Sequence, residues 1–361
     1  MLSIALVGCS EQPVHDVPTV HFDLSSARQM NMSEFVDSST LIPLETNDSS
    51  LIRKVRSLNI VGDTLFIRDG GRLVSFNDKG GYLFSTNQLQ GPGAKDYYSA
   101  VSFSILPNND IEVFDAMNYK MITYDKDLHY VLHRNLPNDV LPATGCLYIS
   151  EDYRLIVDKS LLKLYSIHDE KIVNTYEVLS IPHFSYFHMK GFNKINNRFL
   201  VSTKNDNVIY EMFIDDLNIR FKPICKFDFG DDANFCLFDL PKGENEKFYL
   251  NYSRDNHRDV FISDKYVDDE KQMCFFTYDN KSYFAYHNEA LGTNSVYYNV
   301  PMSKQQFIPA NFYMNNTFYY VCEVQYLDYV IDRSLMSTNE LSKMKSIRED
   351  DNPIIVCYKL K

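Results

Sequence analysis

The chain has 361 residues with 36 Lys and Arg against 48 Asp and Glu, a formal net charge of −12. That balance argues against a nucleic-acid partner, whose phosphates call for a basic surface, and against a polybasic membrane footprint. A hydrophobic content of 45% excludes global disorder, and no apolar run is long enough for a transmembrane helix.

Residues 1–9 (MLSIALVGC) set a short apolar stretch before Cys9, and polar Ser10-Glu11-Gln12 follow. This resembles the bacterial lipoprotein signal, in which a small residue precedes a Cys that becomes the lipidated N-terminus. The resemblance implies a lipid anchor at Cys9, with residues 10–38 as a tether and a lead-in to the fold. Of the other cysteines, Cys146, Cys274, Cys322 and Cys357 lie in apolar, strand-like runs, where Cys behaves as a small core side chain. Cys225 and Cys236 could bridge across an inserted loop in an oxidising compartment or stay as thiols. No C-x-x-C spacing signals structural zinc.

From residue 55 onward, short alternating runs of aromatic and β-branched residues separated by turn residues predict strands. The turns SFNDKGGYL, TYDKDLHYV, SIHDEKIVN and MFIDDLNIR place aspartates at 78, 125, 169 and 215, spaced 47, 44 and 46 residues apart. In a second register, LFIRD, IEVFD and RLIVD end at Asp69, Asp115 and Asp158. FLVST (199–203), MCFFTY (273–278) and FYYVCEV (318–324) continue that register, once a polar insertion at 231–258 is set aside. Six copies of a period near 45 residues, each with four short strands, predict an all-β fold: a six-bladed β-propeller of four-stranded antiparallel blades over 39–361. Two strand-like segments, 40–45 (TLIPLE) and 353–360 (PIIVCYKL), are candidates for the latch that closes the ring; which of them takes the outer edge is left open.

Between the first two blades, Gly91, Pro92 and Gly93 predict a compact structural crossover. They do not form a phosphate loop, because no Lys-Ser/Thr follows and no helix starts there. Near the C-terminus, Ser337 and Glu340 fit a capping box, with Leu341, Met344 and Ile347 at helical spacing. A short helix inserted in the last blade and packed against the rim is expected.

The LVGC, IPLET (42–46), GPGAKDY (91–97) and EDDNPIIVCYKLK (349–361) segments together resemble the six-bladed β-propeller lipoproteins of gut Bacteroidetes, whose domains are of unknown function. The resemblance implies a place on the cell envelope. It implies no reaction.

Chemistry is sparse in the motifs. The carboxylate clusters lack calcium-loop spacing and fall at turns. The histidines form no H-E-x-x-H pattern, and no nucleophile elbow occurs. No catalytic residue, cofactor or resident metal is assigned. Aromatic side chains near expected loops are the binding candidates, because Tyr offers a flat face and a hydroxyl. They are Tyr97, Tyr98, Tyr186, Tyr297 and Tyr298, joined by His183 and His188 in the HFSYFH segment. The expected function is a monomeric, non-enzymatic binding module whose channel face takes a glycan, a peptide or an envelope protein, touching the membrane only through its lipid. The alternative is a metal-assisted lyase or hydrolase built on channel-lining His and acidic residues.

Overall fold

The computed structural model describes residues 17–158, 161–177, 192–195, 198–202, 207–230, 260–268, 270–279, 281–300 and 306–361. The chain opens with three strands that belong to distant parts of the ring: β1 (Thr19–His21), β2 (Arg28–Gln29) and β3 (Val36–Pro43). Blade one follows as β4 (Val55–Val61), β5 (Thr64–Asp69), β6 (Arg72–Asn77) and β7 (Tyr82–Ser85). Blade two is β8 (Ser102–Ile105), β9 (Ile111–Asp115), β10 (Lys120–Tyr124) and β11 (Tyr130–Asn135). Blade three is β12 (Gly145–Tyr148), β13 (Tyr153–Val157), β14 (Leu161–Ser166) and β15 (Lys171–Glu177). Blade four is β16 (Phe192–Ile195), β17 (Arg198–Val201), β18 (Val208–Asp215) and β19 (Asn218–Asp228). Blade five is β20 (Phe261–Val267), β21 (Lys271–Tyr278), β22 (Lys281–Asn288) and β23 (Thr293–Tyr298). Blade six starts with β24 (Phe312–Met314) and β25 (Thr317–Cys322). It continues through a helical insertion with α1 (Leu327–Val330) and α2 (Thr338–Ser346), and ends in β26 (Ile354–Leu360).

Every blade contains four strands in antiparallel order, so the predicted six-bladed propeller is the fold. The register that ends in Asp69, Asp115 and Asp158 marks the second strand of each blade, β5, β9 and β13, and continues in β17, β21 and β25. The repeating turn aspartates sit between strands three and four. The first strand of each blade is innermost: β8 and β12 of adjacent blades converge, and the Ser102 hydroxyl accepts the Cys146 N–H at 2.8 Å.

The latch question resolves in favour of the N-terminal candidate. Blade six has the order β24-β25-β26-β3, with β3 outermost and β26 third. The pairing runs from Ile354 opposite Pro43 to Leu360 opposite Val36. Upstream of the latch, β1 adds in parallel to the outer edge of β19, and β2 does the same on β23. The segment 19–43 is therefore a belt across the outer edges of blades four, five and six. Phe35 anchors it, fully buried with its ring 5.0–5.1 Å from those of Phe284, Phe307 and Tyr297.

The edge of β3 is covered in turn by α2. Glu340 accepts the Leu41 N–H at 2.7 Å, and Lys343 donates to the Leu41 carbonyl at 3.2 Å. Paired or covered edges no longer template other strands. The capping box forms only in part. Ser337 accepts the Glu340 N–H at 3.3 Å, but the Glu340 carboxylate is taken by Leu41 and by Lys343 at 2.7 Å instead of returning to the cap. Leu341, Met344 and Ile347 pack half-buried against the core between blades five and six, as the helical spacing predicts.

Candidate functional site

In a meander of this order, the loops between strands two and three and the crossovers between blades emerge on one face of the ring. This crossover face carries the long connections, including the helical insertion, and in blades one and two it is built on aspartates. Asp69, buried at the end of β5, accepts the N–H groups of Arg53 (3.2 Å) and Lys54 (2.7 Å) from the preceding crossover. Its other oxygen takes Arg72 Nε at 2.9 Å. Asp115 occupies the same place in blade two, fully buried. It accepts the N–H groups of Tyr98 at 2.7 Å and Ser99 at 3.4 Å, together with Asn118 Nδ2 at 3.1 Å. In blades one and two these periodic aspartates thus fasten the preceding crossover to its blade.

The Gly91-Pro92-Gly93 segment is a tight corner. Asp96 accepts the Gly93 N–H at 3.1 Å, and a Cβ on Gly91 or Gly93 would sit 2.6 or 2.5 Å from its carboxylate. The Gly91 N–H donates to the Tyr97 carbonyl at 3.1 Å and the Tyr97 N–H to that of Leu89 at 3.0 Å, which closes the loop on itself.

The aromatic candidates separate sharply. Tyr97 is fully buried between blades one and two, its hydroxyl 2.8 Å from that of Thr86, and burial raises its pKa. Tyr98, the next residue, points the other way and is 69% exposed. Met117, 67% exposed, lies on the turn after Asp115. Tyr98 and Asn118, the neighbour of Met117, bind the same Asp115 oxygen, so two exposed apolar side chains rise from segments tied to one carboxylate. Met117 is absent from the candidates read from sequence, because a lone Met in a turn gives no pattern.

Tyr297 and Tyr298, expected near a loop, lie within β23. Tyr297 is fully buried, with its hydroxyl donating to Glu34 at 3.0 Å, and Tyr298 is half-buried beneath the belt, its carbonyl accepting the Met30 N–H at 2.8 Å. Edge pairing with β2 consumes the surface they were expected to offer. His183, Tyr186 and His188 lie outside the described residues, as do Cys9, Cys236 and the 231–258 insertion.

Other titratable groups do not converge. His129 meets Asp125 at 3.1 Å, and His133 meets the Tyr130 hydroxyl at 2.8 Å, both on the surface. Asp125 serves its own turn, and the N–H groups of His129 and Asp127 that it accepts lower its pKa. Among the described residues, no three His, Cys, Asp or Glu side chains lie within reach of a common metal ion. Cys146, Cys225, Cys274, Cys322 and Cys357 are buried thiols. No helix among the described residues is long and apolar enough to cross a membrane.

Residues 16–359 match a domain of unknown function, DUF4934. The chain belongs to this DUF4934 family. The DUF4934 chain is similar in fold to the crystal structure of a Bacteroides fragilis protein described as exported, at 16% identity and a TM-score of 0.66, covering 95% of this chain and 99% of that one. A DUF4221 family member from Bacteroides vulgatus aligns over 90% of this chain and 97% of its own at 9% identity, with a TM-score of 0.49. No curated protein matches.

Proposed function

We propose that this DUF4934 propeller is a non-enzymatic binding module of the cell envelope, tethered by lipid at Cys9, that takes a glycan, a peptide or a partner protein on its crossover face. The observation that carries the reading is the pairing of Tyr98 and Met117. Both are large apolar side chains in water; the Tyr98 backbone N–H is fastened to buried Asp115, and so is the side chain of Asn118, the residue after Met117. A preorganised loop loses little entropy on binding, and Tyr and Met are side chains that recognition surfaces favour. The similarity to an exported Bacteroides protein supports a place outside the cytoplasm.

The test is a thermal-shift screen of the chain from Ser10 against glycan and peptide panels, repeated with Tyr98→Ser and Met117→Ser. A ligand at 100 times its Kd stabilises the native state by about 2.7 kcal/mol. A shift in the parent that both variants lose would support the reading. A shift unaffected by either variant would remove the crossover face from it, and a shift that depends on a divalent metal and is accompanied by substrate turnover would replace it with an enzyme.

A further inference from the structure

The seam between blades one and two holds two guanidinium groups that have no ion-pair partner among the described residues. Residue 56 is the extra residue of a β-bulge: Val55 pairs with Asp69 but Ser57 pairs with Arg68, so Arg56 and Ser57 both oppose Arg68. A bulge re-aims a side chain in this way, and bulges are frequent beside functional sites. Both arginines lie close to the crossover end of their strands, Arg56 on the innermost strand β4 and Arg68 on β5. Arg68 alternates with Ile67 and so shares the sheet face of Phe66, which packs against blade two. From there Arg68 Nη1 donates to the Val101 carbonyl ahead of β8, and its other N–H groups meet no acceptor among the described residues.

Three carboxylates of blades one and two are committed elsewhere. Asp69 is filled by two backbone N–H groups and Arg72, and Asp115 by the Tyr98 crossover. Glu112 is held in a buried two-point pair with Arg154, at 2.6 and 3.0 Å. Arg154 is the informative contrast. It too is a second-strand arginine that reaches toward blade two, and there the fold supplies a carboxylate. Arg68 is half-buried, and both its burial and the neighbouring Arg56 work against its charge. Arg53 and Lys54, exposed on the crossover that leads into β4, add positive charge and have no ion-pair partner among the described residues. In a chain of net charge −12 this is a local reversal of sign.

We propose that Arg56 and Arg68 form a binding site for an oxyanion, the carboxylate or sulfate group of an acidic ligand, at the crossover end of the seam between blades one and two. Guanidinium forks match the planar carboxylate and the tetrahedral sulfate by paired hydrogen bonds, and a half-desolvated site strengthens them. The inference rests on the reading of this face as a binding surface and adds the charge of what it binds.

The experiment is calorimetric titration of the full chain from Ser10 with sodium sulfate, galactose 6-sulfate and glucuronate, in chloride buffer at fixed ionic strength. The parent is compared with Arg56→Gln, Arg56→Lys and Arg68→Gln, and with Lys345→Gln, which removes one charge from the exposed surface of α2. The parent is expected to bind at least one of these anions, with a loss of roughly tenfold or more in Arg56→Gln and Arg68→Gln and none in Lys345→Gln. Arg56 is exposed, so Arg56→Gln stays folded and keeps the test decisive even if Arg68→Gln does not. Equal affinity for inorganic sulfate and galactose 6-sulfate would identify a free-anion site. Tighter binding of the sugar would identify an acidic saccharide, and both outcomes support the proposal. Absence of binding, or equal binding in the parent and Arg56→Gln, overturns it. A chain that ignores every anion yet responds to a neutral glycan through Tyr98 would lose this site and keep the binding reading.

Discussion

Asn352 and Ile52, three hundred residues apart in the chain, are joined by a hydrogen bond of 2.8 Å from the Ile52 N–H to Asn352 Oδ1. The same buried side chain donates from Nδ2 to the carbonyls of Glu45 at 2.8 Å and Ser50 at 3.1 Å, and its own N–H reaches Thr46 Oγ1 at 2.8 Å. One asparagine thus pins the blade-six-to-one crossover to the start of the last strand. Asn352→Ala leaves several buried backbone groups without partners, and a loss of roughly 2–4 kcal/mol is expected. Urea unfolding midpoints measure it. A change below about 0.5 kcal/mol, the range of ordinary surface substitutions, would show that water replaces the side chain freely.

Gly80, in the outer hairpin of blade one, has φ +87°, and a Cβ there would lie 2.0 Å from the Pro43 carbonyl at the end of β3. Gly80→Ala is therefore expected to destabilise by more than about 1 kcal/mol, combining left-handed strain with a clash against the latch. Gly62→Ala serves as the control. It carries the same φ sign at +56° but meets nothing within 4 Å, so it isolates the strain, and the difference between the two unfolding free energies reports the contact.

The Glu112–Arg154 pair predicts an asymmetric mutant cycle. Arg154 also donates to the Ser150 carbonyl at 2.6 Å and lies over the Tyr148 ring at 4.7 Å. Glu112→Gln or Arg154→Met alone strands a buried charge or its partners and should cost roughly 3–5 kcal/mol, whereas the double apolar replacement Glu112→Leu/Arg154→Met should cost much less than the sum. Additive losses in guanidinium unfolding would mean that the two side chains do not depend on one another.

Much of this architecture is legible in the residues, and the parts that are not share a cause. Alternation and the aspartates at 69, 115 and 158 reveal second strands because each blade repeats the same local physics. Helix α2 is readable from Ser337 and its apolar spacing. The belt is invisible: β1 and β2 are three and two residues long, and edge pairing needs only backbone. For the same reason Tyr297 and Tyr298 read as loop aromatics until β2 covers their strand. Tyr97 and Tyr98 differ because neighbouring side chains leave a backbone in opposite directions, and no composition argument says which of the two faces the core. Glu340 looks like half of a capping box because its actual partner, Leu41, is far away in sequence.

Burial pushes the Cys322 thiol up to about 11 and the thiols of Cys225 and Cys357 up to about 12, and it raises Cys146 and Cys274 as well. Thiols of the unfolded chain titrate near about 8.5. Above that value the unfolded state has released protons that the folded state still holds, so stability falls as pH rises through the window from about 8.5 to about 12 and is unaffected by these groups below it. Denaturation at a series of pH values from about 7 to about 11 should show a plateau followed by a decline. Iodoacetamide near pH 8 should leave these five thiols unmodified until denaturant is added, and rapid labelling in native buffer would contradict their burial.

Because β3 pairs residues 36–43 with 354–360, the propeller cannot close until β26 has left the ribosome. The first ring strand to leave the ribosome has no partner until the last is made, and blades one to five stand meanwhile as an open arc with exposed flanks. Contacts of such long sequence separation form late and slowly. The joining of first strand to last is therefore also a checkpoint: a chain that stops before Ile354 lacks the strand that links β3 to β25 and cannot complete the ring.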